Sequence, residues 1–338
     1  MTGRQMTGSW DNQRHLTGSS AGEKHAFVLF LLLFLCVTLP AAEFEICRFP
    51  EDKTSAVSLT FDDGKRDHLL HAVPLLEKYG FRGTFYIIAG RVPEKADSWI
   101  NAPMCWAEIR MIAQRGHEIG NHSLNHRRPL TKEANDEDIR REINAPIPVF
   151  QEKAGIRIRT FCYPGCSNTP KIEKIVLEKH LAASRRRYPC GGEKFTLELW
   201  KGYLDEVEAK HQAAAMMIHA VHPQGGHKPF SSLELFEACL QELKQREKRI
   251  YVAPYAEVAS YVLLRDASRL KALGNGEFEL ICSRPDGSKL GFLSVKYTGS
   301  APAVIRQEER ETPASPQAIL QLKPGKFTVQ MIQHEKNL

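Results

Sequence analysis

Ala56-Val57-Ser58-Leu59-Thr60-Phe61-Asp62-Asp63-Gly64 runs from an apolar, β-rich stretch straight into two carboxylates and a glycine. Its first six residues suit a strand buried on both faces, as in a parallel sheet covered by helices. Two adjacent carboxylates at the end of such a strand are costly unless paired or liganded, because desolvating an ion costs several kcal/mol. Gly64 permits a sharp turn that aims its neighbours into one pocket. Asp62 and Asp63 are therefore candidate site residues, although the same triplet also makes ordinary turns.

Outward from this strand the pattern repeats. Residues 68–79 place Leu69, Leu70, Val73, Leu76 and Tyr79 at helical spacing, with Asp67 as the capping residue and Gly80 as the stop. Further strands are expected at residues 84–89, 117–121, 160–163, 181–184, 215–219 and 250–253. Helices are expected at 106–114, 133–153, 170–179 and 233–246. Strands alternating with helices over about 210 residues point to a mainly parallel α/β sheet or barrel. Past Arg265 the style changes to strands without helices, at 277–283, 290–297, 318–322 and 326–332, around a Pro285-Asp286-Gly287 turn. The expected organisation is an N-terminal extension over 1–42, an α/β domain over 43–265 and a small β-rich domain over 266–338.

Two further segments carry chemistry. Asn121-His122-Ser123-Leu124-Asn125-His126 follows a strand candidate, and histidines four apart on one face of a helical turn can hold one ion between them. Zinc accepts neutral imidazole, and a carboxylate from elsewhere completes three protein ligands with a position left for water. Met216-Met217-Ile218-His219 delivers a histidine at the end of an apolar run, where it is a candidate general acid or base. His222 and His227 compete for that role, whereas His117 reads as structural.

These residues together resemble the polysaccharide deacetylase family, also called the NodB homology domain or carbohydrate esterase family four. The TFDDG motif is at Thr60 to Gly64, the H-S/T-x-x-x-H motif at His122 to His126 and the strand-end histidine at His219, with similarity over about residues 56–261. The resemblance implies a distorted (β/α) barrel with its site at the C-terminal strand ends. It also implies Asp62 as catalytic base, His219 as general acid, and Asp63, His122 and His126 as ligands of one divalent ion, with zinc suiting the donors. The family's third motif carries an arginine and a tyrosine where this chain has Cys162 and Gly165. On that alignment the Gly165 backbone N–H is the candidate oxyanion donor. The family's aspartate and tryptophan motif that supports the acid histidine is not found in this chain, and Asp205 is named only as a guess in its place. The implied partner is an acetylated carbohydrate. N-deacetylation of N-acetylhexosamine polymers or oligomers is favoured, with O-deacetylation of a xylan-type polysaccharide or a non-catalytic carbohydrate- or metal-binding relative as alternatives.

The bulk composition is that of an ordinary globular protein. The chain has 338 residues, 42% hydrophobic, and a net charge of +6. Without the N-terminal segment, whose three basic and two acidic residues add one unit, the charge is about +5. That is too mild for a nucleic-acid partner, and the short Arg185-Arg186-Arg187 run reads as solvated surface. Residues 26–42 form an apolar run after Lys24 that ends in Pro40-Ala41-Ala42 before Glu43, the pattern of a signal peptide. Export to the periplasm or outside the cell is expected, with membrane association only through this segment if it is retained. Cys36 lies inside it, which leaves seven cysteines and makes one or two disulfides plausible.

Overall fold

The structure is a computed structural model and describes residues 44–127, 135–166, 168–184 and 187–332. The signal-like run 26–42 and the side chains of the 185–187 basic run lie outside the described residues. The first strand, β1 (Phe44–Ile46), precedes an eight-stranded sheet. That sheet comprises β2 (Ser55–Phe61), β3 (Thr84–Ile87), β4 (Glu118–Asn121), β5 (Thr160–Cys162), β6 (Ala182–Ser184), β7 (Arg187–Cys190), β8 (Ala213–Ile218) and β9 (Ile250–Val252). Every pairing in it is parallel, in the order β6-β5-β4-β3-β2-β8-β7 with β9 also on β2.

The completely buried β2 organises the sheet. One of its neighbours, β8, pairs with six successive residues, Ala56 to Phe61. Ser55 to Val57 also pair with β9, and Thr60 and Phe61 with β3. A single strand thus serves three neighbours, which splays and curls the sheet into the expected distorted barrel. Its end strands, β6 and β7, are not paired to each other among the described residues. Pro189 sits in β7, where an end strand tolerates the missing donor. That proline and the preceding arginines hid β7 from the periodicity reading.

The helices are α1 (Val73–Lys78), α2 (Trp106–Gln114), α3 (Asp136–Asn144), α4 (Pro146–Ala154), α5 (Pro170–Leu177), α6 (Leu197–Ala209), α7 (Leu233–Gln245), α8 (Tyr255–Asp266) and the short α9 (Gly287–Leu290). A π-helical turn, His68–Ala72, leads into α1. The single helix expected over 133–153 is two helices. Pro146 lacks an N–H and starts α4 immediately after α3 has ended at Asn144. Side-chain oxygens of Asn135, Thr169, Thr196 and Ser232 cap α3, α5, α6 and α7. Asp67 does not cap in this way, and its carboxylate is used elsewhere.

Phe61 and Phe85 stack at 4.7 Å within the main core, which also contains Phe236 and Leu240 of α7 and Trp200 of α6. Past α8 the strands are β10 (Ser268–Gly274), β11 (Glu277–Cys282), β12 (Leu293–Tyr297), β13 (Ala303–Gln307), β14 (Arg310–Ala314), β15 (Ile319–Leu322) and β16 (Gly325–Met331). They form a five-stranded antiparallel sheet, β10-β11-β16-β13-β14, and a three-stranded one, β1-β12-β15. Phe44 to Ile46 thus pair with Val295 to Tyr297, far along the chain. These sheets share a core with Phe49, Ala56, Val258, Tyr261 and Leu264. No disulfide joins any of the described cysteines, against the one or two considered plausible, and five of the seven are buried. No helix of the described residues is long and apolar enough to cross a membrane.

Candidate metal centre and active site

The site lies where β2, β4, β5 and β8 end. The Asp62 N–H donates to the Ile218 carbonyl at 2.9 Å and extends the β2–β8 ladder by one residue, which fixes the buried Asp62 carboxylate at the rim. Asp63 then adopts φ +77° and Gly64 φ +67°. Two left-handed residues in succession turn the chain sharply, and a non-glycine tolerates that conformation only where its surroundings hold it. The adjacent carboxylates consequently face different partners. Asp62 meets the Cys162 thiol at 3.5 and 3.6 Å, whereas Asp63 Oδ1 lies 3.6 Å from Nε2 of both His122 and His126.

His122 is placed by its own N–H, which donates to the Ile87 carbonyl at 2.9 Å. The segment 122–126 is not the helical turn expected. Ser123 and His126 have φ +67° and +56°, so side chains lock the loop in place of helical backbone bonds. The Asn121 side-chain oxygen accepts the Ser123 N–H, the Ser123 hydroxyl accepts the His126 N–H, and Glu142 accepts both the backbone and side-chain N–H of Asn125. The two imidazoles still meet, with centroids 4.8 Å apart.

His122 Nδ1 lies 2.9 Å from the Cys162 carbonyl. A carbonyl can only accept, so Nδ1 carries the proton and Nε2 presents its lone pair. A tetrahedral ion with bonds of about 2.0–2.1 Å separates its ligand atoms by roughly 3.4 Å. Asp63, His122 and His126 therefore fit a divalent ion in both chemistry and spacing.

His219 follows β8 directly and is half-buried. Burial lowers its pKa, opposed by the charges of Asp62 and Asp63, and His227 packs edge-on at 4.8 Å. Its backbone is held by two residues that the sequence reading missed. His68 Nε2 lies 2.9 Å from the His219 carbonyl and so donates to it. The buried Asp67 carboxylate accepts the N–H groups of Val221 at 2.6 Å and His222 at 3.2 Å, and also contacts His71 Nδ1 at 3.1 Å. The only sequence signal was two polar residues at a helix entrance, where capping was the natural reading.

Gly165 is exposed in the turn Pro164–Cys166 after β5, with φ +62°. Asp205 is not beside His219. It projects from α6 and bonds Arg246, two-thirds exposed, so the residues that hold the His219 segment are Asp67 and His68 instead.

Residues 50–183 match the family model for polysaccharide deacetylases. Among curated proteins, a gellan lyase of a Bacillus species is 29% identical over 139 residues, which are 41% of this chain and 5% of that protein. YxkH of Bacillus subtilis (strain 168), named as a polysaccharide deacetylase candidate, is 31% identical over 77 residues, 23% of this chain and 25% of that protein. The chain thus spans a quarter or less of these relatives' lengths. A solved structure of a polysaccharide deacetylase candidate from Mycobacterium smegmatis is 19% identical, covers 66% of this chain and 94% of that one, and superposes with a TM-score of 0.49.

Proposed function

Because residues 50–183 match the polysaccharide deacetylase family, we propose that this chain is a metal-dependent hydrolase that removes acetyl groups from carbohydrate, N-acetylhexosamine polymers or oligomers foremost. The observation that carries the reading is Asp63 Oδ1 set 3.6 Å from two imidazole Nε2 atoms, with a second, buried carboxylate 4.0 Å from one of them. Asp63, His122 and His126 would hold the ion, and zinc suits one carboxylate with two imidazoles. When bound, such an ion lowers the pKa of water towards about 7 and polarises a carbonyl.

Asp62, buried and outside the ligand trio, takes the proton of the attacking water. The Gly165 N–H is the proposed donor to the developing oxyanion. His219, on the neighbouring strand end, protonates the leaving group, which an amide needs because an amine anion leaves very poorly. A groove of about 760 Å³ is lined by Pro189, Phe195, Tyr203, Pro223, Lys228 and Phe230 and by none of Asp62, Asp63, His122, His126 or His219, so it lies outside the proposed reaction centre. Its size and its mixture of apolar walls with a few polar groups suit a small organic ligand.

Acetate release from chitooligosaccharides, peptidoglycan and acetylxylan tests the reading. Release from the first two supports it, release from acetylxylan alone points to an O-acetyl esterase, and none with metal bound points to a non-catalytic relative. Export is proposed from the 26–42 run, with the mature chain starting near Ala42. Mass spectrometry of the native protein decides this, and peptides from before Lys24 in the mature form would overturn it.

A further inference from the structure

His122 and Asp62 also belong to a second set of donors. Cys162, at the end of β5, is fully buried, and its Sγ lies 3.5 Å from Asp62 Oδ1 and 3.6 Å from Oδ2. Asp62 Oδ2 lies 4.0 Å from His122 Nε2. The thiol, carboxylate and imidazole present ligand atoms within 4.8 Å of one another, and all three residues are buried. An ion with sulfur at about 2.3 Å and oxygen or nitrogen at about 2.0–2.1 Å spaces its ligand atoms roughly 3.4–3.6 Å apart. Small side-chain movements therefore suffice to close this set around an ion.

We propose that Asp62, His122 and Cys162 form a second ion position, selective for thiophilic divalent ions, that cannot be filled together with the Asp63-His122-His126 position. Exclusion follows from the shared imidazole. His122 Nδ1 is committed to the Cys162 carbonyl, so both positions need the one lone pair on Nε2. Selectivity follows from the sulfur, since a thiolate favours soft and borderline ions over hard ones. Cys162 binds as thiolate, so each ion bound displaces the thiol proton to water. An ion held there also engages Asp62, and an occupied position is inhibitory. That last consequence alone rests on the assignment of Asp62 as base.

The test titrates the metal-stripped full chain with Cd2+ and follows the ultraviolet sulfur-to-cadmium charge-transfer absorption. The band is expected to saturate near one ion per chain and to vanish in Cys162→Ser, with Cd2+ affinity lowered about tenfold or more. Cys166→Ser, whose thiol is exposed, keeps it. His126→Ala, outside the set, keeps the band and His122→Ala loses it, which decides the matter even if Cys162→Ser fails to fold. A wild-type chain without the band, or a band that survives Cys162→Ser or His122→Ala, overturns the proposal. Acetate release is read separately, in the absence of Cd2+: a chain that shows the band with Cd2+ but releases no acetate when loaded with any other divalent ion refutes the hydrolase reading and leaves the ion position standing.

Discussion

Asp62 and Asp63 are chemically identical neighbours given different surroundings by one turn of backbone. Asp62 continues the β2 ladder and is 1% exposed, whereas Asp63 leaves it at φ +77° and faces two imidazoles. Their substitutions should therefore separate. Asp62→Asn keeps the side chain's shape but cannot take a proton, so metal content should stay near one ion per chain while turnover falls about 10²–10⁴-fold. Asp63→Asn removes an anionic ligand and should lower metal content first. Metal analysis beside acetate release measures both, and full activity in Asp62→Asn would refute its role as base. His219→Ala should keep the metal and slow amide substrates more than activated esters, whose leaving groups need little protonation. Equal losses on both substrate types would remove His219 from the acid role.

At the scale of elements, the π-helical turn after β2 holds the loop after β8. Asp67 accepts two backbone N–H groups about 150 residues away in sequence, and His68 donates to a third backbone group in the same loop. Asp67→Ala strands two inward-facing N–H groups at about 1–3 kcal/mol each, and it frees the segment that begins with His219. Its melting temperature and kcat should both fall with metal content unchanged, and Asp67→Asn, whose amide oxygen can still accept, should recover part of each. A variant that loses stability but keeps wild-type kcat would show that the tie does not position His219. These contacts also mark the limit of what could be read in advance. Asp62, Asp63 and His219 were legible because each closely follows an apolar run that had to be a strand, and His122 and His126 because two histidines four apart follow a strand candidate. Asp67 and His68 act through the backbone of a distant loop, which leaves no spacing to detect. Strand β7 was hidden by Pro189, and β1 by its three residues, which form a strand only because β12 supplies the partner. The 122–126 turn was misread as helical because its geometry comes from side-chain hydrogen bonds rather than from periodicity.

At the scale of the whole molecule, stability and site geometry meet at His180. This residue follows α5, is 4% exposed, and has its pKa lowered from 6.5 to about 4 by burial, partly opposed by its bond to the Val176 carbonyl. Nδ1 lies 3.0 Å from that carbonyl and so carries the proton, and Nε2 accepts from Asn121 Nδ2 at 3.0 Å. Asn121 in turn orders Ser123 and donates to the Ile143 carbonyl, while Phe161 packs against the imidazole edge-on. The folded pKa lies below the unfolded one. Between about pH 6.5 and 4 the unfolded chain therefore binds a proton that the folded chain refuses, and stability is lost as pH falls through that window. His117, also lowered to about 4 by burial with Arg82 and Arg115 nearby, adds in the same sense. Glu118 opposes them, because desolvation raises its carboxyl above the usual range and the folded chain holds that proton more tightly. The wild-type curve is the sum of these, so the His180 contribution must be read by difference. His180→Gln retains an oxygen that can accept from Asn121 but cannot take a proton. Its melting temperature should fall less than that of wild type between about pH 7 and about pH 5. Parallel melting curves for the two proteins would show that His180 does not set the acid limit of the fold.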